Sequence, residues 1–191
     1  MQSFSGFGLA LDTLGMCVLH NAWQLSGDAS GVGPTYSRPL AHSNSVFFDP
    51  TYGYRKCRLV YNSSGADIDP KTVCVFKSGS SVEVLKATAL KYVKEKVAGV
   101  TPEVLMNNSG GTDAKFPNGY WGWVIYGGDV QVLAGAAITA NDPLTVGATT
   151  AGTVETNALA AAADYVGQIG VALTAAAAAG DTITARIALP D

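Results

Sequence analysis

The sequence predicts an all-β protein made of small β-sandwich or barrel units, with a sign of duplication and an extended N-terminal arm. Three observations predict it. Short apolar runs rich in Val, Ile, Thr and aromatics recur between Gly, Asn, Asp and Pro turns. Charged residues make up only 14% of the 191 residues, against about 25% in an ordinary soluble domain, which points to a surface covered by other subunits. A short motif, DPKTV at Asp69–Val73, returns as DPLTV at Asp142–Val146.

Taken in chain order, residues 1–50 read as the arm. Short apolar groups alternate with Gly, Ser, Pro and Asn, and only Met16–Leu19 and Val46–Phe48 suggest strands. Phe4, Phe7, Leu9, Leu11, Trp23, Phe47 and Phe48 cannot be buried by such a segment alone, so they are candidate contacts with the rest of the chain, a second copy or a larger assembly. The segment lacks both the basic start and the uninterrupted apolar run of a signal peptide, and the apolar stretches elsewhere are too short for a membrane span, so the expectation is a soluble chain.

Residues 51–100 form a first small β-rich unit. CRLVY, a turn at Asn62–Gly65 and TVCVF suggest a hairpin; SVEVLKATALKYVKEKVAGV reads as a strand followed by a turn or short helix. Residues 101–119 hold two prolines, three glycines and three asparagines and read as a loop or linker. Residues 120–191 form a C-terminal β-domain with six candidate strands: Trp121–Tyr126, Val130–Leu133, Leu144–Val146, Thr153–Thr156, Val166–Leu173 and Thr182–Leu189. The last alternates Ile183, Ala185, Ile187 and Leu189 with Thr182, Thr184, Arg186 and Ala188, the pattern of a strand with one wet face. Each DP-TV motif precedes a Gly-Val pair, in VAGV and QIGV, at similar distance. Duplication and coincidental turn chemistry both account for that echo.

Reactive chemistry is sparse. No GxSxG elbow, phosphate-cradling GxxxxGK[ST] loop or complete GxGxxG fingerprint is present. Two histidines, His20 and His42, and three cysteines at wide spacing without a CxxC pair make no zinc site expected, and no other metal or cofactor is implied. The carboxylates Asp67, Asp69, Asp113, Asp129 and Asp142 sit in turn contexts and read as Asx-turn residues rather than a glycosidase pair. With a net charge of -3 and Arg55, Lys56 and Arg58 as the sole basic cluster, nucleic-acid binding is excluded and the cluster reads as a solvated strand edge. Trp121 and Trp123 share one strand face, which fits a buried pair or a subunit contact; a sugar-stacking platform is the alternative.

From Gly122 onward the residues resemble a known family. A Gly-Trp-Val strand, the Gly135–Leu144 turn ending in Asp-Pro-Leu, a Gly-rich hairpin at Gly152–Val154, the Val166–Leu173 strand, an Ala-Gly-Asp turn at Ala178–Asp181 and the terminal strand together resemble the capsid decoration, or cement, proteins of tailed bacteriophages. That resemblance covers about 70 residues and implies a non-catalytic structural protein. Its implied form is a homotrimer on the outer surface of the virion, bridging major capsid protein subunits, with no nucleic-acid or membrane partner. Bridging several neighbours at once turns modest contacts into strong attachment.

Overall fold

The computed structural model describes residues 44–49, 51–88, 96–103, 115–158 and 167–190. Ten strands form among them: β1 (Asn44–Asp49), β2 (Gly53–Asn62), β3 (Val73–Phe76), β4 (Glu83–Lys86), β5 (Val97–Val100), β6 (Trp121–Leu133), β7 (Pro143–Val146), β8 (Val154–Thr156), β9 (Gly170–Ala172) and β10 (Thr182–Ala188). The protein is all-β, as the sequence predicts. Pairing runs β1-β2-β4-β3-β5-β6-β10-β9-β7-β8, and β2 pairs β6 as well. That extra pairing closes β2, β4, β3, β5 and β6 into a five-stranded ring. A parallel bridge from Ala134 to Val154 closes β6, β10, β9, β7 and β8 into a second.

The two rings share β6. Its first part, Trp121–Ile125, lies antiparallel to Tyr61–Cys57 of β2, and its second part, Gly127–Leu133, lies antiparallel to Ala188–Thr182 of β10. Gly127 serves both, facing Lys56 on one side and Ala188 on the other. The sequence predicts two strands here, split at the Gly127-Gly128-Asp129 turn signal. One 13-residue strand forms instead, because a bulge at Tyr126, the extra residue between Ile125 and Gly127, carries the strand from one ring to the next. A Cβ at Gly128 (φ 100°) would lie 2.5 Å from the Tyr54 carbonyl oxygen, so only glycine permits this approach.

The rings repeat one plan. In each, the third and second strands pair antiparallel (β3–β4, β7–β8), the second and fourth pair antiparallel (β3–β5, β7–β9), and the first and third pair parallel (β2–β4, Ala134 with Val154). Loop bonds repeat as well. Lys71 N donates to Thr101 O and Asn141 N to Ala172 O; Ile68 and Phe116 exchange backbone bonds as Ile138 and Ala176 do. The two non-glycine residues with positive φ among the described residues, Lys71 at 60° and Asn141 at 73°, occupy equivalent places 70 positions apart. The chain is therefore internally duplicated. The Asp-Pro echo that signals this in the sequence is three residues out of register, because it aligns Val73 with Val146 whereas the pairing aligns Val73 with Pro143.

Ring interiors show how one plan accepts two sequences. The first is filled by Val60, Ile68, Cys74, Val84, Ala98, Phe116 and Val124. Their counterparts Val132, Ile138, Leu144, Val154, Ile169, Ala176 and Ala185 are all buried in the second. Size changes compensate: where Phe116 and Val124 become alanines, Cys74 becomes Leu144 and Ala98 becomes Ile169. Phe116 lies over Gly122, where a Cβ would come within 2.8 Å of the ring; in the second ring the pair is Ala176 beside Ile183, both buried. Between the rings, Val73, Val75, Val97, Val100 and Ile125 of the first belong to the same continuous core as the second ring. Val73 N also bonds Gly152 O, and Leu133 N bonds Lys71 O, across that seam.

Several local expectations are corrected by this topology. β2 and β3 do not form a hairpin, because β4 lies between them and pairs parallel to β2. Among the described residues of the Val166–Leu173 candidate, which begin at Gly167, the strand spans Gly170–Ala172 alone. The described parts of 101–119 are tied into the first ring, through Thr101 N to Thr72 O and the Ile68–Phe116 bridge. The terminal strand alternates as read, with Ile183, Ala185 and Ile187 buried and Thr182, Arg186 and Ala188 exposed.

Two outcomes test the duplication. Gly122→Ala destabilises the protein by about 1–3 kcal/mol through its clash with Phe116, read as a lowered melting temperature. In a Phe116→Ala background the same change becomes neutral or stabilising, and additivity of the two would contradict the packing described. Gly170→Ala pushes a methyl into the Arg186 carbonyl oxygen on β10 and lowers the melting temperature by on the order of 5 °C.

Candidate functional site

The shared sheet has an outer face that the two rings treat differently. Along β2 and β6, the facing pairs Tyr61–Trp121, Leu59–Trp123 and Cys57–Ile125 point away from the first ring's interior. Their counterparts in the second ring are Leu133–Thr182, Gln131–Thr184 and Asp129–Arg186. One face is aromatic and apolar, the other polar. Trp121 is 3% exposed and packs with Leu59 and Tyr61, its ring 5.6 Å from that of Tyr61. Trp123 is half-buried and lies against both this cluster and the main core.

This placement corrects Trp121 as a candidate external contact, since its ring is enclosed within the chain. It also removes the paired stacking platform, because a sugar needs an open ring face. The indole Nε1 of Trp121 is buried without a hydrogen-bond partner, so the ring is held by packing alone. Phe47 and Phe48 lie on β1, in register with Arg55 and Tyr54. Phe4, Phe7, Leu9, Leu11 and Trp23 lie outside the described residues.

The Arg55-Lys56-Arg58 run is not a solvated edge. It lies on β2, which pairs β1, β4 and β6, and Arg55 and Arg58 are 5% and 9% exposed while Lys56 points to solvent. Arg55 donates from Nη1 and Nη2 to the two oxygens of Glu103 at 2.9 and 2.6 Å, and from Nε to Asp129 O at 2.7 Å. Asp49 stands 3.2 Å away and the Tyr52 ring lies under the guanidinium at 4.1 Å. Glu103 also accepts from Gln131 N at 2.7 Å, and Asp49 accepts from Thr51 N at 2.8 Å to shape the β1–β2 turn. One arginine thus fastens the β1–β2 turn, the chain after β5 and the bend of β6. Burial and then the Glu103 charge raise the Tyr52 phenol above its ordinary value. Spacing alone does not reveal this cluster, because Asp49, Arg55, Glu103 and Asp129 come together only through the pairing of β1, β2 and β6.

Arg58 fills the mouth of the first ring. Its guanidinium lies 4.0 Å from the Tyr126 ring and 5.5 Å from Phe76, and Nη2 donates to Pro190 O at 2.5 Å. The equivalent trio in the second ring is Val130, Ile187 and Val146, all buried. A cation between two aromatics has been exchanged for three aliphatics at the same place.

Of the carboxylates read as Asx-turn residues, Asp142 keeps a local turn bond, Asp67, Asp69 and Asp129 make long-range ties instead because strand pairing brings distant partners to them, and Asp113 lies outside the described residues. Asp67 accepts from Asn118 N at 2.9 Å, Asp142 from Thr139 N at 3.0 Å and Thr156 Oγ1 at 2.9 Å, and Asp69 pairs with Lys115 at 3.0 Å. Asp129 takes a two-point contact from Arg186 at 2.8 and 3.1 Å. Among the described residues, no group of three His, Cys, Asp or Glu could hold a metal ion. Cys57 and Cys74 are buried and unpaired with each other, and burial pushes the Cys74 thiol up to about 12, leaving it protonated and unreactive. Among the described residues, no helix is long and apolar enough to cross a membrane.

No family model matches the chain, and no curated protein matches it. Among solved structures, the N base of the head fiber protein gp8.5 of bacteriophage phi29 is similar over 71% of this chain and 97% of its own, at 19% identity and a TM-score of 0.45.

Arg55→Ala leaves Asp49 and Glu103 buried without their cation and lowers the unfolding free energy by about 3–5 kcal/mol, measured by denaturant titration. Arg186→Ala, which removes an ion pair whose arginine side chain is 65% exposed, changes it little.

Proposed function

We propose that this chain is a non-catalytic structural protein of a bacteriophage virion that decorates and stabilises the capsid by bridging major capsid protein subunits. One observation carries the reading. The residues that resemble decoration proteins, from Gly122 to Leu189, fall on the framework of one closed unit: the shared strand β6, the turn into β7, the β7–β8 connection, β9, the Ala178–Asp181 turn and β10. The Ala-Gly-Asp turn has a structural task there, with Asp181 accepting from the N–H groups of Ala177 and Ala178 at 2.9 Å each.

The physical character of the molecule agrees. Its carboxylates and arginines hold strands and turns together, and its glycines permit close backbone approaches. Two rings joined through one continuous strand make a stiff body, and a stiff body transmits load between attachment points without first losing chain entropy. A homotrimer and an arm that engages the shell or a neighbouring copy complete the proposal, with Phe4, Phe7, Leu9, Leu11 and Trp23 as the arm's apolar contacts.

Electron microscopy of virions carrying this chain with a C-terminal label tests the reading. Label at regular positions on the head lattice is the expected result. Label confined to the tail, or folded protein that fails to bind heads lacking it, overturns the proposal.

A further inference from the structure

Strand β1 holds, beside the first ring, the place that β5 holds beside the second. β5 lies antiparallel to the start of β6 at Val100 and Ile125, and β1 lies antiparallel to the start of β2, with Asp49 facing Gly53. The bonds Ser63 N to Val84 O and Gly135 N to Val154 O align β2 with β6 at a separation of 72 residues. Gly53 and Ile125 stand at that same separation, so Asp49 corresponds to Val100 and Phe48 to Gly99. On its far side β5 is paired by β3, with Val73 facing Val100 and Cys74 facing Gly99. The plan of the repeat therefore calls for a strand of the β3 type along the far edge of β1.

A segment of suitable sequence precedes it. Met16-Cys17-Val18-Leu19 matches Val73-Cys74-Val75-Phe76 in its central Cys-Val and is apolar at both flanks. Its distance from β1 also fits. Residues 77–96 separate β3 from β5, residues 147–169 separate β7 from β9, and residues 20–43 separate Leu19 from β1, which are 20, 23 and 24 residues. The edge itself calls for a cover. The exposed large hydrophobics among the described residues, Val46 at 62% and Tyr54 at 73%, both lie on the β1–β2 hairpin, and Asn-Ser-Val-Phe-Phe-Asp carries no lysine or proline to discourage strand addition.

We infer that the far edge of β1 is a docking edge for residues 16–19 of the same chain, so that the N-terminal region begins with a partial third repeat. By the register of β3 with β5, Cys17 faces Phe48. Residues 1–15 and the 20–43 connection that carries Trp23 are then the portions left to make arm contacts under the proposed function, but the pairing itself does not depend on that function.

Facing residues of an antiparallel pair have Cα atoms about 4.5–5.5 Å apart, within the range a disulfide spans. Phe48→Cys in the full chain, mildly oxidised, is expected to give a disulfide within one chain between Cys17 and the thiol introduced at position 48, identified by peptide mass spectrometry. Cys57 and Cys74 are buried and do not compete. A folded variant that forms no link, or that links two chains, overturns the inference. Hydrogen exchange needs no new cysteine: in the unsubstituted protein the β1 amides directed away from β2 are expected to be protected. Val18→Pro, which cannot donate to the pair, speeds their exchange by about tenfold while β6 is unchanged. Equal exchange in the two proteins overturns the inference as well.

Discussion

The structure depends on the continuity of β6. Its backbone N–H and C=O groups close the first ring against β2 and open the second against β10, so neither ring is complete without it. A strand that must satisfy partners in two closed rings cannot slip by one residue without exposing both interiors, since each one-residue shift turns every side chain to the opposite face. Register is fixed twice over. The bulge at Tyr126 then carries the strand from the first ring to the second, and the close approach of the Tyr54 carbonyl allows no side chain at Gly128 beside it. Arg55 locks the same bend from the side, through the Asp129 carbonyl and Glu103.

Around this shared strand the two rings have diverged in instructive ways. Interiors have diverged under a volume constraint, so that Phe116 over Gly122 and Ala176 beside Ile183 are two solutions to one packing problem. Outer faces have diverged in kind. Tyr61, Trp121 and Leu59 are enclosed, while Gln131, Thr184 and Asp129 are polar and half-buried and Arg186 is exposed. The apolar outer pairs belong to the first ring and the polar ones to the second.

Polar groups among the described residues are tied into the framework itself. The carboxylates that would interest an enzymologist are held by turn amides, hydroxyls and exposed ion pairs, and both described cysteines are buried in apolar surroundings.

The sequence by itself determined what depends on neighbours along the chain. Alternation in Thr182–Ala188, the turn bond of Asp142 to Thr139 N, and the all-β class follow from local periodicity and side-chain-to-backbone bonding, which operate over a few residues. It also hinted at the duplication, though through an Asp-Pro match three residues out of register, because turn motifs recur wherever a chain reverses. Tertiary structure alone decided that β6 is one strand shared by two rings, that Arg55 and Arg58 are buried, and that Trp121 is enclosed while its counterpart Thr182 is exposed. Those facts depend on which strands lie side by side. Ring closure joins residues as far apart as Arg58 and Pro190, and no local pattern records a partner that distant.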